Sequence, residues 1–359
     1  MANNRVFYAC QAVAIAPCFV APTTSNVRLA QGVQSVGITT NFNLEQAFEL
    51  GQIQIYENIE GLPDVEVTME KVLDGNPLLY HLASPTAETN SLVGRSTARS
   101  CISLGIYEDD KDVISGAAPT EVYMSGMYIN SVSYTIPTDG NATESITLVG
   151  NHKEWASNGA ADNLNANNVK LLGKDITQKH PAAPQNDGGR ITGSGAPPSG
   201  IQRREDVDLA HTELPASIQG ASGVGAGNAK DDGGNVVVHI QNFTCSSDFS
   251  REDILELGRK APYFRATAFP IEVTCEFEVI ATSGDFIGCD EDADTNTNEE
   301  TIEFALKSGT RFNLGTKNRL SSVTYGGGDA GGGNATITYS YTNFNDLSVF
   351  SRADPAGLS

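Results

Sequence analysis

DVEVTME (Asp64–Glu70) and IEVTCEFEV (Ile271–Val279) each alternate strictly between apolar and mostly acidic residues. Successive side chains of a strand point to opposite faces of a sheet, so this period of two predicts strands with one buried face. Val65, Val67 and Met69 share one side of the first stretch; Ile271, Val273, Cys275, Phe277 and Val279 share one side of the second. The opposite sides carry Asp64, Glu66, Thr68 and Glu70, and Glu272, Thr274, Glu276 and Glu278. Like charges stacked on one face repel each other. Such a face is either the ordinary solvated side of an antiparallel sheet, or an anionic wall past which something negative moves without sticking.

The rest of the chain fits a β protein. Its 359 residues suffice for one large domain with insertions or for two domains. The 36 glycines, with abundant Thr, Ser and Asn, favour strands and turns over helices. With 44 acids against 23 bases the net charge is −21. That balance excludes gripping nucleic acid, whose affinity comes from cations that displace counterions, and it excludes attraction to an anionic membrane surface. It leaves open a protein that handles nucleic acid by repelling it. Six cysteines without a C-x-x-C pair, in a chain this long, are expected to be free buried thiols. No run of about 18 apolar residues predicts a transmembrane helix. Val6–Ala21 is interrupted by Gln11 and Pro17 and reads as a mature segment packed against the body or a neighbour, not a leader.

Along the chain, Gln31–Asn43 reads as a strand, Leu44–Leu50 as a short helix, and Ile53–Tyr56 as a strand ahead of a turn at Glu60–Pro63. Asn76–Leu82 reads as a brief helical turn and Ser100–Tyr107 as a strand. Glu121–Val149 is a hairpin turning at Pro137–Gly140. These elements make 1–156 the first part of a β-sandwich with an N-terminal arm. Residues 157–234 are rich in Gly, Asn, Ala and Pro and read as a long loop or insertion outside the core. The second part, 235–359, holds strands at Val236–Phe243, Ile271–Ile280 and Thr301–Leu306, and a hairpin of Ser321–Tyr325 with Ala335–Tyr341 around Gly326–Gly333. It also holds the one convincing helix, 251–257, capped by Ser250, apolar at Ile254, Leu255 and Leu257, and closed by Gly258. The fold class is therefore mainly β, a β-sandwich or barrel with one packed α-helix and long loops.

No catalytic constellation stands out. The five histidines are far apart without a metal-ligand partner, and G-x-S-x-G, H-E-x-x-H and Walker patterns are missing. Asp290–Asp294 has carboxylates at alternate positions, but Thr295 and Thr301 stand where a calcium loop needs Gly and Glu. The expectation is a non-enzyme with no catalytic, cofactor or metal residues and no cofactor.

Three passages resemble tail tube proteins of tailed bacteriophages: NRVFYACQAVAI (Asn4–Ile15), FELGQIQIYENIEGLPDVEVTMEKVLDG (Phe48–Gly75) and LGRKAPYFRATAFPIEVTCEFEV (Leu257–Val279). The resemblance covers a minor part of the chain and includes both alternating stretches. It implies a structural virion protein of the tail, assembled in the host cytoplasm, whose six-membered rings stack into a tube. The implied partners are further copies of itself, a tape-measure protein during assembly, and DNA in passage without specific binding; no membrane is implied. Asp64, Glu66, Thr68, Glu70, Glu272, Thr274, Glu276 and Glu278 would then face the lumen. Six copies carry 6 × −21 = −126 charges, and an anionic lining keeps phosphates off the wall. Simple tube subunits are shorter, and 157–234 has no counterpart in them. The alternative is a carbohydrate-binding or adhesive β-sandwich, which calls for exposed aromatics near loops.

Overall fold

Both alternating stretches form strands of the same antiparallel sheet. The computed structural model describes residues 5–18, 28–51, 53–84, 90–107, 118, 120–157, 200–209, 211–219, 238–282, 284, 287, 298–328 and 333–351. The strands are β1 (Gln11–Pro17), β2 (Arg28–Leu29), β3 (Val33–Ala47), β4 (Glu57–Val72), β5 (Ser100–Ile106), β6 (Thr120–Pro137), β7 (Thr143–Gly150), β8 (His152–Ser157) and β9 (Ile240–Asp248). They continue with β10 (Arg251–Ile254), β11 (Phe264–Thr267), β12 (Glu272–Ile280), β13 (Glu303–Ala305), β14 (Arg311–Asn313), β15 (Arg319–Gly326), β16 (Thr336–Phe344) and β17 (Ser348–Phe350). The helices α1 (Leu79–Ala83), α2 (Leu92–Arg95) and α3 (Ala216–Gln219) are single turns. The fold is mainly β.

Eight strands lie in the order β3-β4-β7-β6-β9-β12-β16-β15, each antiparallel to its neighbours. The sheet stays open, with β3 and β15 at its ends among the described residues. β6 joins it to a second group of strands. Its first half pairs with β5 and β8, and β1 and β2 follow beyond β5. The change of direction falls at Gly126, whose φ of +68° suits glycine, and at a register shift between Ile129 and Ser131.

Inward positions obey the alternation. Val65, Val67, Met69, Ile146, Leu148, Val132, Tyr134, Phe243, Val273, Phe277, Ile337 and Tyr339 are buried. The three-stranded sheet β13-β14-β17 packs on this side. Phe304 of β13 stacks on Phe243 at 4.1 Å between centroids, and Phe312 of β14 lies 4.6 Å from Tyr134. Each such ring contributes about 1.5–3 kcal/mol by burial, so this contact fixes which face is the core.

Several sequence expectations are overturned. The 251–257 helix is a hairpin: Arg251 pairs with Thr267 and Ile254 with Phe264, while Ser250 (φ +43°) and Gly258 (φ +86°) are left-handed. A seven-residue helix is marginal in water, and four contacts hold the extended form. Arg251 donates to the Ile129 carbonyl and lies over the Tyr128 and Phe249 rings, and Phe264 meets Tyr128 edge-on. Ile254, Leu255 and Leu257, expected as a buried stripe, are exposed.

Leu44–Leu50 is likewise not a helix, because β3 runs on to Ala47 and pairs with Glu57. The stretch 53–56 lies in the connection instead of a strand, and Glu60–Pro63 continues β4 instead of turning. A bulge between Phe42 and Leu44 accommodates Pro63, and a Cβ on Gly61 would stand 2.5 Å from the Asn43 carbonyl oxygen. Asn76–Leu82 is partly helical, as α1.

Cys18 and Cys101 form a disulfide where free thiols are expected, because the β1–β5 register sets their Cα atoms 5.3 Å apart. Cys10, Cys245 and Cys275 are free and buried. Residues 200–219, inside the stretch read as lying outside the core, place Gln202, Thr212, Leu214 and Ile218 in the interior. Gln202 there satisfies backbone groups of the first part: its amide donates to Leu73 and its carbonyl accepts from Ala142.

Candidate functional surface

The ladders place both acidic strips on the same outer face. Residues directly opposite in an antiparallel pair share a face. Glu70 stands opposite Ser145, Ser145 opposite Ser133, Ser133 opposite Ser246, Ser246 opposite Thr274, and Thr274 opposite Thr342. The adjacent row runs Thr68, Thr147, Ser131, Asp248 and Glu272. On the other side, Thr135, Thr244, Glu276 and Ser340 align. Four strand steps separate β4 from β12, roughly 19 Å. The ground between the two strips is paved with hydroxyls.

Glu70, Thr68, Glu272 and Glu276 are exposed, while Glu66, Thr274, Glu278 and Asp64 are half-buried. The hydroxyls pair with neighbours: Ser246 and Thr274 lie 2.7 Å apart, and Ser340 donates to Glu276 at 3.2 Å. Asp248 stands opposite Glu272, a like-charge pair that costs stability. Arg319, opposite Thr342 at the β15 end, is the cation on these rows, and its guanidinium is 3.9 Å from Glu299.

Asp64 differs from the other seven. Its carboxylate accepts from Asn43, Asn151 and Arg265, each at 2.9–3.0 Å. Arg265, nearly buried, also reaches Asp253. Asp64 therefore ties the β10–β11 hairpin to β4.

The side chains that alternation does not foresee lie underneath. Glu144 and Lys71 are opposite one another on the buried face. Glu144 accepts from the amides of Leu79 and Tyr80, at 2.6 and 3.0 Å, and from the Tyr134 hydroxyl at 3.2 Å, so a strand carboxylate caps α1. Burial pushes its carboxyl up, against those donors and Lys71. Lys71 binds Asp74 and the Gln31 carbonyl, both at 2.7 Å. The sequence does carry a signal for both: each charge sits on the apolar parity of its strand.

A cavity of about 530 Å³ is lined by Ile136, Leu209, Ile240 and Phe304 together with Arg204, Glu205, Asp208 and Lys307. Its charges are of mixed sign, and the described residues contain no metal-binding cluster. Asp290–Asp294 lies outside the described residues.

No family model matches this chain. No curated protein matches it either. Solved structures similar to part of it include the anti-feeding prophage baseplate, 6-fold symmetrised, with 12% identity over 44% of this chain and 98% of the other at a TM-score of 0.33. An extracellular contractile injection system, the PVC sheath-tube complex in the extended state, aligns at 10% identity over 43% and 93%, TM-score 0.31. The anti-feeding prophage tube-terminating cap aligns at 10% over 44% and 94%, also 0.31. Scores this low leave the role of the chain to be read from its own surface.

Proposed function

We propose that this chain is a structural, non-enzymatic tail tube protein of a tailed phage or a related particle. Copies form rings, six to a ring, that stack into a tube, and the outer face of the eight-stranded sheet lines the bore. The observation that carries this reading is the register, which sets Glu70, Glu272 and Glu276 on one face whose intervening rows are mostly Ser and Thr, with Asp248 beside Glu272. Hydroxyls offer a polyanion only neutral contacts and carboxylates repel it. Arg319, at the β15 end of these rows with Glu299 3.9 Å away, is their one cation among the described residues, so little of this face can capture phosphates by counterion release. The open edges β3 and β15 supply strands that neighbouring copies can pair, which removes exposed edges.

The adhesive alternative draws on one observation: Phe42, Phe48, Tyr56 and Tyr263 are exposed near loops. They are interleaved with exposed Leu44, Leu50, Ile53 and Leu257. Aliphatic side chains suit a protein partner better than a sugar. Negative-stain imaging of concentrated protein tests the assembly, with rings or tubes expected and discrete monomers at all concentrations against it. Glu272→Lys, Glu276→Lys and Glu278→Lys together are expected to leave assembly intact and to impair DNA delivery by the particle. Unchanged delivery would show that these side chains do not line the bore.

A further inference from the structure

Among the described residues, two two-stranded ribbons carry most of the exposed large apolar side chains, and their charges are opposite. The first is the distal part of β3–β4, residues 42–63, exposing Phe42, Leu44, Phe48, Leu50, Ile53 and Tyr56. From residue 33 to residue 63 the chain contains Glu45, Glu49, Glu57 and Glu60 and no Lys, Arg or His. The second is the β10–β11 hairpin, whose tip exposes Leu255, Leu257 and Tyr263 beside Arg259 and Lys260. Over residues 255–263 the only acid is Glu256, so the tip is net +1 (2 − 1) in a chain of net −21. The ribbons are rooted side by side through Asp64 and Arg265, yet Leu50, Ile53 and Leu257 are fully exposed.

We propose that the 255–263 tip of one copy docks on the 42–63 ribbon of a second copy. The inference rests on the self-assembly reading above and says which surfaces meet. An isolated two-stranded ribbon is marginally stable in water. The large apolar side chains of the first ribbon expose on the order of 1,000 Å², close to the roughly 800 Å² that each partner contributes to a standard specific interface. A second copy is the occupant that matches in charge, because the ribbon is purely acidic and the tip is basic. Arg259 holds Glu256 at 3.0 Å within its own chain, but such an exposed pair is weak and is readily exchanged for a carboxylate of a neighbour. Tip and ribbon are different surfaces, so the contact is head-to-tail and propagates into a ring or a stack.

Sedimentation velocity on four full-length proteins tests this: wild type, Arg259→Glu/Lys260→Glu, Glu45→Lys/Glu57→Lys, and the chain with all four changes. All four side chains are exposed, so each variant should keep the wild-type melting temperature. Each two-site reversal is expected to raise the concentration needed for assembly about tenfold or more, and the four-site chain to recover most of that loss. Reversals that assemble like wild type, or a four-site chain that does not recover, overturn the contact and leave the tube reading intact. A wild type that stays monomeric at every concentration overturns both.

Discussion

Glu144 shows how one charge on the wrong parity organises its surroundings. It is fully buried, and its carboxylate oxygens take the two amides that begin α1 and the Tyr134 hydroxyl. Burial raises its carboxyl above the ordinary 4.5, so over a window starting there the folded chain holds a proton that the unfolded chain has lost. The folded state then binds more protons, and the contribution to stability falls as pH rises. It is fully present below pH 4.5 and is lost as pH climbs through the raised folded value. Glu144→Gln keeps the shape but turns an amide N–H toward one of the donors, which costs about 1–3 kcal/mol for the unsatisfied pair. Urea melts of both proteins from pH 4.5 upward should show the wild-type advantage shrinking with pH. An advantage independent of pH would show that the carboxyl does not titrate in this way.

At the scale of elements, the β10–β11 hairpin depends on polar anchors. Arg265 is nearly buried and bridges Asp64 and Asp253, whose side chains are 47% and 36% exposed. Water reaches both carboxylates, so Arg265→Ala should cost only about 1–2 kcal/mol, below the 3–5 of a fully buried pair. Its signature is local: amide exchange across 251–267 should speed up while that of β12 stays slow. Equal acceleration in both would mean that the hairpin opens only with the whole fold. This hairpin also marks the limit of what the sequence tells. Ser250, Ile254, Leu257 and Gly258 satisfy cap, stripe and stop rules for a helix, but those rules assume that the stripe is buried. Here the apolar residues stay exposed, and contacts to Tyr128 and Ile129, more than 100 residues away, decide the conformation. Leu44–Leu50 misleads in the same way. The 64–72 part of β4, β12 and the β6–β7 hairpin were legible because one buried face imposes a period of two. The eight proposed side chains could be assigned to outer faces, but their union needs β7, β6 and β9 between the two strips, a matter of register that alternation leaves free. The Cys18–Cys101 pairing depends on β1 lying beside β5, which no local pattern encodes.

For the molecule as a whole, the question is which force would govern the proposed self-association when every copy carries −21. Long-range repulsion opposes approach, and at 0.1 M salt it is cut off beyond about 10 Å. Contacts between a basic tip and an acidic ribbon act at shorter range and select partners more than they supply energy. The exposed apolar side chains supply the energy, at about 25 cal/mol for each Å² removed from water, and salt strengthens that contribution. Assembly should therefore rise between 10 and 150 mM NaCl (about 30 to 8 Å of screening length) and then level off, instead of dissolving at 1 M. Light scattering on the wild type across that range measures it. The Arg259→Glu/Lys260→Glu variant should assemble poorly at 10 mM and approach the wild type at 1 M NaCl, because screening removes the added repulsion between tip and ribbon while the apolar side chains remain. Assembly that fell steadily with salt would mean that ion pairs hold the copies together, and that the exposed leucines, isoleucines and aromatics of the two ribbons remain in water.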